Sequence, residues 1–230
     1  MSDCDSQEDY YFRIDERQNT LDSLQKTREF LSRVDKDEFY WKWAMISLHN
    51  ALYGSMILVL QGTNPVRVED KGRAENIKRL KRKNPTLEID VDEHHIISFF
   101  KAFEMIQMSE FMEMYVDSKF VCITPEAEKF DQKSKYTKKV ALFPPRLNTS
   151  LEHLNNYIRN QFLHYYPISI SYGKGGFVQI IEDVIELMEF LLLKSGNFRI
   201  DNDEEWRSIK TEIASILDLV GMLRVKYLPK

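Results

Sequence analysis

The sequence predicts an all-α protein: an up-and-down helical bundle with polar insertions and peripheral helices at its two ends. Three observations predict it. Long stretches repeat apolar residues at the three- and four-residue spacing of a helix face. Glycine and proline number only 8 and 7 in 230 residues, too few for the tight turns of an all-β chain. Glu, Lys, Leu and Met, all good helix formers, are plentiful. With 43% hydrophobic and 30% charged residues, the chain has an ordinary soluble composition and enough length to bury a core without staples.

Residues 1–12 read as a flexible acidic terminus, and residues 13–230 as one helical domain. A weakly apolar helix is expected over residues 15–33, with Leu21, Leu24, Phe30 and Leu31 on its inner side. Asp35-Lys36-Asp37 offers a cap for the strongest helix, residues 37–61. Its two stripes, Trp41-Met45-Leu48-Leu52-Val59 and Ile46-Tyr53-Ile57-Leu60, are both apolar, so it should be covered on most sides. Residues 43–60 carry no formal charge when His49 is neutral and approach the length of a membrane span. Ser47, His49, Asn50, Gly54 and Ser55 interrupt that run and no basic cluster abuts it, so a buried bundle helix is expected and no membrane. Gly62, followed by Pro65, stops the helix.

A polar insertion at residues 63–92 holds the one concentrated basic run, including Lys78, Arg79, Lys81, Arg82 and Lys83. It reads either as a solvated loop or surface helix, or as a patch for RNA phosphates, though no aromatics interleave for base stacking. A second core helix is expected over residues 93–117, with Ile96, Ile97, Phe99, Phe100, Phe103, Ile106, Phe111 and Tyr115 at helical spacing. A long connection covers residues 118–148. The third helix should span residues 150–165, capped by Thr149-Ser150-Leu151-Glu152. Residues 171–176 form a glycine-rich turn without Walker or dinucleotide spacing. A fourth core helix over residues 177–195 ends at Ser195-Gly196, and a last helix over 203–220 carries Trp206, Ile209, Ile213, Ile216 and Leu217 inward.

Function classes narrow from here. A formal charge of −4 gives no global basic field, so any contact with nucleic acid must be local. Cys4 and Cys122 form no metal or redox spacing, and the acidic N-terminus has no apolar secretion core, so a reducing cytoplasm is expected. Neither a His-Glu-x-x-His, a Cys-x-x-Cys nor a Gly-x-Ser-x-Gly motif occurs. His94-His95, beside Asp90, Asp92 and Glu93, read as a solvated helix start, because sequence neighbours point apart on a helix. No metal site and no cofactor is therefore expected. His49-Asn50, inside the most apolar helix, must either be a satisfied core pair or line a site.

Compact polar chemistry gathers in one stretch, Tyr157-Ile158-Arg159-Asn160-Gln161-Phe162-Leu163-His164-Tyr165-Tyr166-Pro167. Its Arg-x4-His spacing has a loose echo in Arg146-x6-His153, but Arg146 follows Pro144-Pro145, ahead of the expected helix. Arg159, Asn160 and His164 instead sit on the closing half of an apolar helix that Pro167 stops. Asn160 and His164, four apart, share a face, and Arg159 reaches from the side. A histidine near a helix C-terminus is favoured in its protonated form, and its usual titration range suits proton transfer. A guanidinium grips phosphate with two parallel hydrogen bonds and offsets charge developing on it. An amide orients the imidazole or a ribose hydroxyl. Such a trio can cleave RNA by activating a 2′-hydroxyl against the adjacent phosphate.

The Arg-Asn-x3-His form, flanked by aliphatic and aromatic residues and followed by Tyr-Pro, resembles the HEPN superfamily of helical nucleotide- and RNA-processing domains. The helix from Trp41 to Gly54 is similar to the first core helix of a bacterial HEPN group, and the resemblance covers roughly residues 37–195, with segments 63–92 and 118–148 outside it. The resemblance implies a metal-independent endoribonuclease of prokaryotic defence or a toxin–antitoxin system, with Arg159, Asn160 and His164 catalytic. It further implies a homodimer whose two motifs form one composite site, RNA or a nucleotide as ligand, and an antitoxin protein as partner. Read from the residues themselves, Lys78, Arg79, Lys81, Arg82 and Lys83 are the candidates to contact RNA, and His49, Asn50 and Tyr165 the candidates to line the site. The alternative is a non-catalytic HEPN module that binds RNA, nucleotide or a partner protein. A plainly structural alternative has Arg159 bridging to Glu152 or Glu182 with His164 exposed.

Overall fold

The computed structural model describes residues 14–62, 68–70, 72, 75, 79–80, 82–83, 95–108, 122–123, 141–163, 171–200 and 202–228. Their secondary structure is helical apart from isolated bridge residues and one two-residue antiparallel pair, so the protein is an all-α bundle. Buried apolar side chains from every long helix form one continuous core.

Helix α1 (Glu16–Leu31) opens with a capping box: Asp15 accepts from the Gln18 backbone N–H while the Gln18 side chain accepts from the Asp15 N–H. It lies against α2 (Tyr40–Gln61), the centre of the molecule. The two approach so closely that a Cβ on Gly54 would stand 2.0 Å from Thr20 Oγ1. Both stripes of α2 are covered, with Trp41, Met45, Leu48, Leu52 and Val59 buried on one and Ile57 and Leu60 on the other. This helix is long and apolar enough to cross a membrane, yet 72% of its most apolar 18-residue window is buried inside the bundle. It begins at Tyr40 rather than residue 37, because the Asp37 carboxylate accepts from the Phe39 N–H and holds a turn there. Gly62 ends it at φ 50°, as its position predicts.

The second core helix is shorter than its periodicity predicts. Residues 95–97 are extended, with Ile97 N–H donating to Val68 O and Asp70 N–H to His95 O around a Glu69–Ile96 bridge. Helix α3 (Phe99–Met105) starts only at its Ser98 cap. Ile96 and Ile97 satisfy a strand pattern as well as a helical one, and the partner backbone at 68–70 decides between them. His95 accordingly lies in extended backbone rather than at a helix start; His94, Phe111 and Tyr115 are outside the described residues.

Strands β1 (Cys122–Ile123) and β2 (Ala141–Leu142) pair antiparallel within the long connection. The third helix then starts earlier than expected. Helix α4 (Pro145–Glu152) takes Pro145 at its first position, where a missing N–H costs nothing, so Thr149 and Ser150 are interior residues and not caps. A π-helical segment, π1 (His153–Arg159), follows, and a last turn, α5 (Asn160–Leu163), completes the described part.

Helix α6 (Lys174–Glu189) absorbs half of the expected glycine turn, with Gly173 as its cap. Gly175 is required there: a Cβ would lie 2.9 Å from Tyr227 O. A second π-helical segment, π2 (Phe190–Lys194), closes α6 at Ser195 and Gly196, the latter at φ 71°. Helix α7 (Asp203–Tyr227) runs seven residues past its expected end, because Val220 and Leu223 are buried and Tyr227 packs edge-on to Trp41. Trp206, expected inward, is exposed under the Lys210 ammonium.

Candidate functional site

The π1 segment carries the polar chemistry because of what it presents on each side. Leu154 and Ile158 point into the core and are buried. His153, Asn155, Asn156, Tyr157 and Arg159 occupy the rest, and Asn155 meets α2 at His49. Asparagine side chains compete with helical backbone bonding, which fits a break from α-geometry at this place.

His49 of α2 is the inner anchor. It is buried, its ring stacks on Phe99 with centroids 4.9 Å apart, and its Nε2 lies 3.0 Å from Asn155 Oδ1. Asn155 Nδ2 donates to Asn156 Oδ1 at 2.8 Å, which fixes the amide so that its oxygen faces His49. The imidazole therefore donates through Nε2–H, and Nδ1 faces the Asn50 amide at 3.4 Å. Burial holds the His49 pKa below its ordinary value, the Arg159 charge pushes the same way, and the bonds to Asn155 and Asn50 oppose both.

Arg159 is the outer element. Half-buried, it donates from Nη1 to Asn160 Oδ1 at 2.9 Å, and Asn160 Nδ2 donates to the Asn156 carbonyl at 3.2 Å. Among the described residues no carboxylate pairs with Arg159. Of the two acids expected for a structural bridge, Glu182 is taken by Arg224 at 2.7 Å, and no ion pair joins Glu152 to Arg159. Among the described residues one of its five guanidinium N–H donors is used, by Asn160.

The second Arg-to-His spacing is resolved differently from its sequence reading. Arg146 is inside α4, and its guanidinium sits 2.6 Å from the buried Asp183, which also accepts from Ser150 Oγ at 2.5 Å. Glu186 adds a contact at 3.7 Å. Arg146 is thus neutralised as a helix-to-helix tie, and His153 packs on Tyr157 instead.

The structure thus brings together His49, Asn50, Arg159 and Asn160 of the expected site. His164 and Tyr165 lie outside the described residues, as do Lys78 and Lys81. Arg79, Arg82 and Lys83 are helical and exposed, and no hydrogen bond or ion pair joins them to the Arg159 cluster. Asn155 was not singled out by the sequence; the signal for it is an amide four residues before Arg159 inside an apolar helix. Among the described residues no three His, Cys, Asp or Glu side chains meet as a metal-holding group. The chain matches no protein-family model, no curated protein and no solved structure.

Proposed function

We propose that the chain is an endoribonuclease of HEPN type, working without metal on RNA bound at Arg159, Asn160 and His164. Arg159 clamps the scissile phosphate and offsets the charge that builds on it. His164 takes the proton from the ribose 2′-hydroxyl. The freed oxygen attacks phosphorus, the bond to the 5′-oxygen breaks, and that oxygen takes up a proton as a 2′,3′-cyclic phosphate is left behind. The His49–Asn155 pair holds the π1 face in register and is a positioning device.

The observation that carries this reading is Arg159: a half-buried guanidinium, clasped by Asn160, with no carboxylate partner among the described residues. A solvated arginine needs no such arrangement, and a structural one takes an acid, as Arg146 and Arg224 do. Tyr157 and Leu163, which flank Arg159, are exposed at 53% and 44%. An apolar rim of that kind fits a homodimer in which two Arg159 faces meet across one groove. A cytoplasmic location is read from the sequence, and a role in prokaryotic defence and an antitoxin partner are what the HEPN resemblance implies.

A second reading has one observation in its favour. The described part of the site offers a guanidinium to an anion but no free nitrogen on His49 to move a proton, since both of its ring nitrogens face amides. In that reading the chain binds RNA and leaves it whole. The two separate on incubation of purified protein with RNA in EDTA, beside Arg159→Ala and His164→Ala. Cleavage giving cyclic phosphate ends, lost in both variants, is the expected result; intact RNA retarded on a gel assigns the second reading.

A further inference from the structure

A cleft of about 500 Å³ opens between the start of α2, the end of α5 and the start of α6. That is the size of a small-molecule site. Its floor is aromatic: Trp41 stacks on Phe177 with centroids 5.5 Å apart, and Tyr172 packs on Phe177 at 5.3 Å. Its rim carries Phe39, which at 71% exposed is a large apolar ring left open to solvent. Lys42 and Lys174 flank the opening. Lys174 lies 3.6 Å from Glu38, a loose pair whose acid is 74% exposed and free to swing away.

One feature of the floor points to a ligand. Trp41 is 3% exposed, yet among the described residues its indole N–H has no acceptor. A buried donor left unmet costs on the order of 1–3 kcal/mol, and here the ring that bears it lines a cavity. The missing partner is an acceptor atom on something flat enough to lie among aromatic rings and anionic enough to use two lysines.

We propose that this cleft binds a nucleoside phosphate, its base stacked on Phe39 above the Trp41 floor and its phosphate held by Lys42 and Lys174. A base carbonyl or ring nitrogen supplies the acceptor for the indole N–H, reached by a small shift of the surrounding rings. Glu38 is placed to accept from ribose hydroxyls. The ligand is either a free mononucleotide or one nucleotide of an RNA strand. The inference does not depend on Arg159, which takes no part in the cleft.

The test uses the full chain carrying Trp43→Phe and Trp206→Phe, both at exposed positions, so that one indole N–H signal remains in the NMR spectrum. The probes are the four ribonucleoside 5′-monophosphates, their parent nucleosides and a short single-stranded oligoribonucleotide. A saturable shift of the Trp41 indole signal is expected with at least one monophosphate or with the oligoribonucleotide; a shift with the strand alone identifies RNA as the source. Phe39→Ala and Lys174→Ala should each weaken binding about tenfold, the scale of one stacking or phosphate contact. Arg159→Ala should leave monophosphate binding unchanged even where RNA cleavage is lost, which separates this site from the RNA reading. No shift with any probe overturns the proposal. So does equal binding of nucleoside and monophosphate, which would show that Lys42 and Lys174 hold no phosphate.

Discussion

The two π-helical segments make an instructive pair. Segment π2 buries Phe190, Leu191 and Leu192, and closes with Ser195, whose N–H donates to Phe190 O and whose hydroxyl donates to Leu191 O, each at 2.7 Å. Its one cation, Lys194, is paired with Glu189 at 2.7 Å. Segment π1 buries only Leu154 and Ile158 and gives its remaining positions to two amides, an exposed histidine, an exposed tyrosine and Arg159. The same backbone widening is a packing adjustment in one case and a presentation of polar groups in the other. A wide turn is therefore no site by itself; the side chains it turns outward decide.

The largest expected effect falls on activity at π1. Arg159→Ala should lower RNA cleavage by about 10²–10³-fold, as loss of a charge-stabilising donor does, with little change in the thermal midpoint. The matching change at π2, Lys194→Ala, should leave the rate as it was. Next comes stability at π2: Leu191→Ala, at a fully buried position, should cost about 3 kcal/mol in denaturant unfolding. An effect that large at π1 from Asn156→Ala would erase the contrast, since Asn156 is exposed.

Asn155→Ala falls between the two segments' behaviours. It leaves the buried His49 N–H unmet, which should cost about 1–2 kcal/mol on unfolding and loosen the Arg159 face as well. A smaller effect follows from His49 itself. Its folded pKa lies below the ordinary 6.5, so the unfolded chain takes up the proton first. Its share of stability is complete above that value and is lost as the pH falls below it, down to the folded pKa. Urea unfolding midpoints taken through this range should slope downward toward acid, and His49→Gln should flatten that part of the slope. Smallest is Arg224→Ala, which removes an exposed pair with Glu182 and should change stability by under about 0.5 kcal/mol.

What the sequence made legible follows the range of the forces involved. The stripes of α2 and the glycine stops at Gly62 and Gly196 depend on near neighbours, and they could be read directly. Arg159 and Asn160, adjacent and bonded, were legible for the same reason. The His49–Asn155 bond joins positions 106 apart in the chain, so neither residue announces the other. Ile96 and Ile97 went to a bridge because a distant backbone segment was there to pair with them. The start of α4 was misplaced because Thr149 and Ser150 suit a cap, whereas Pro145 suits a first turn equally well. The π segments leave no mark in the apolar spacing, since their buried residues still recur four apart or in a run.

The central claim is that Arg159 is held free of acids in order to meet an RNA phosphate. Titration of single-stranded RNA at a series of salt concentrations tests it most directly, with the wild type beside Arg159→Ala. The account predicts weaker binding in the variant at every salt and a log–log salt slope shallower by about one, the mark of one lost phosphate contact. Identical affinity and identical slope in the two proteins would contradict it.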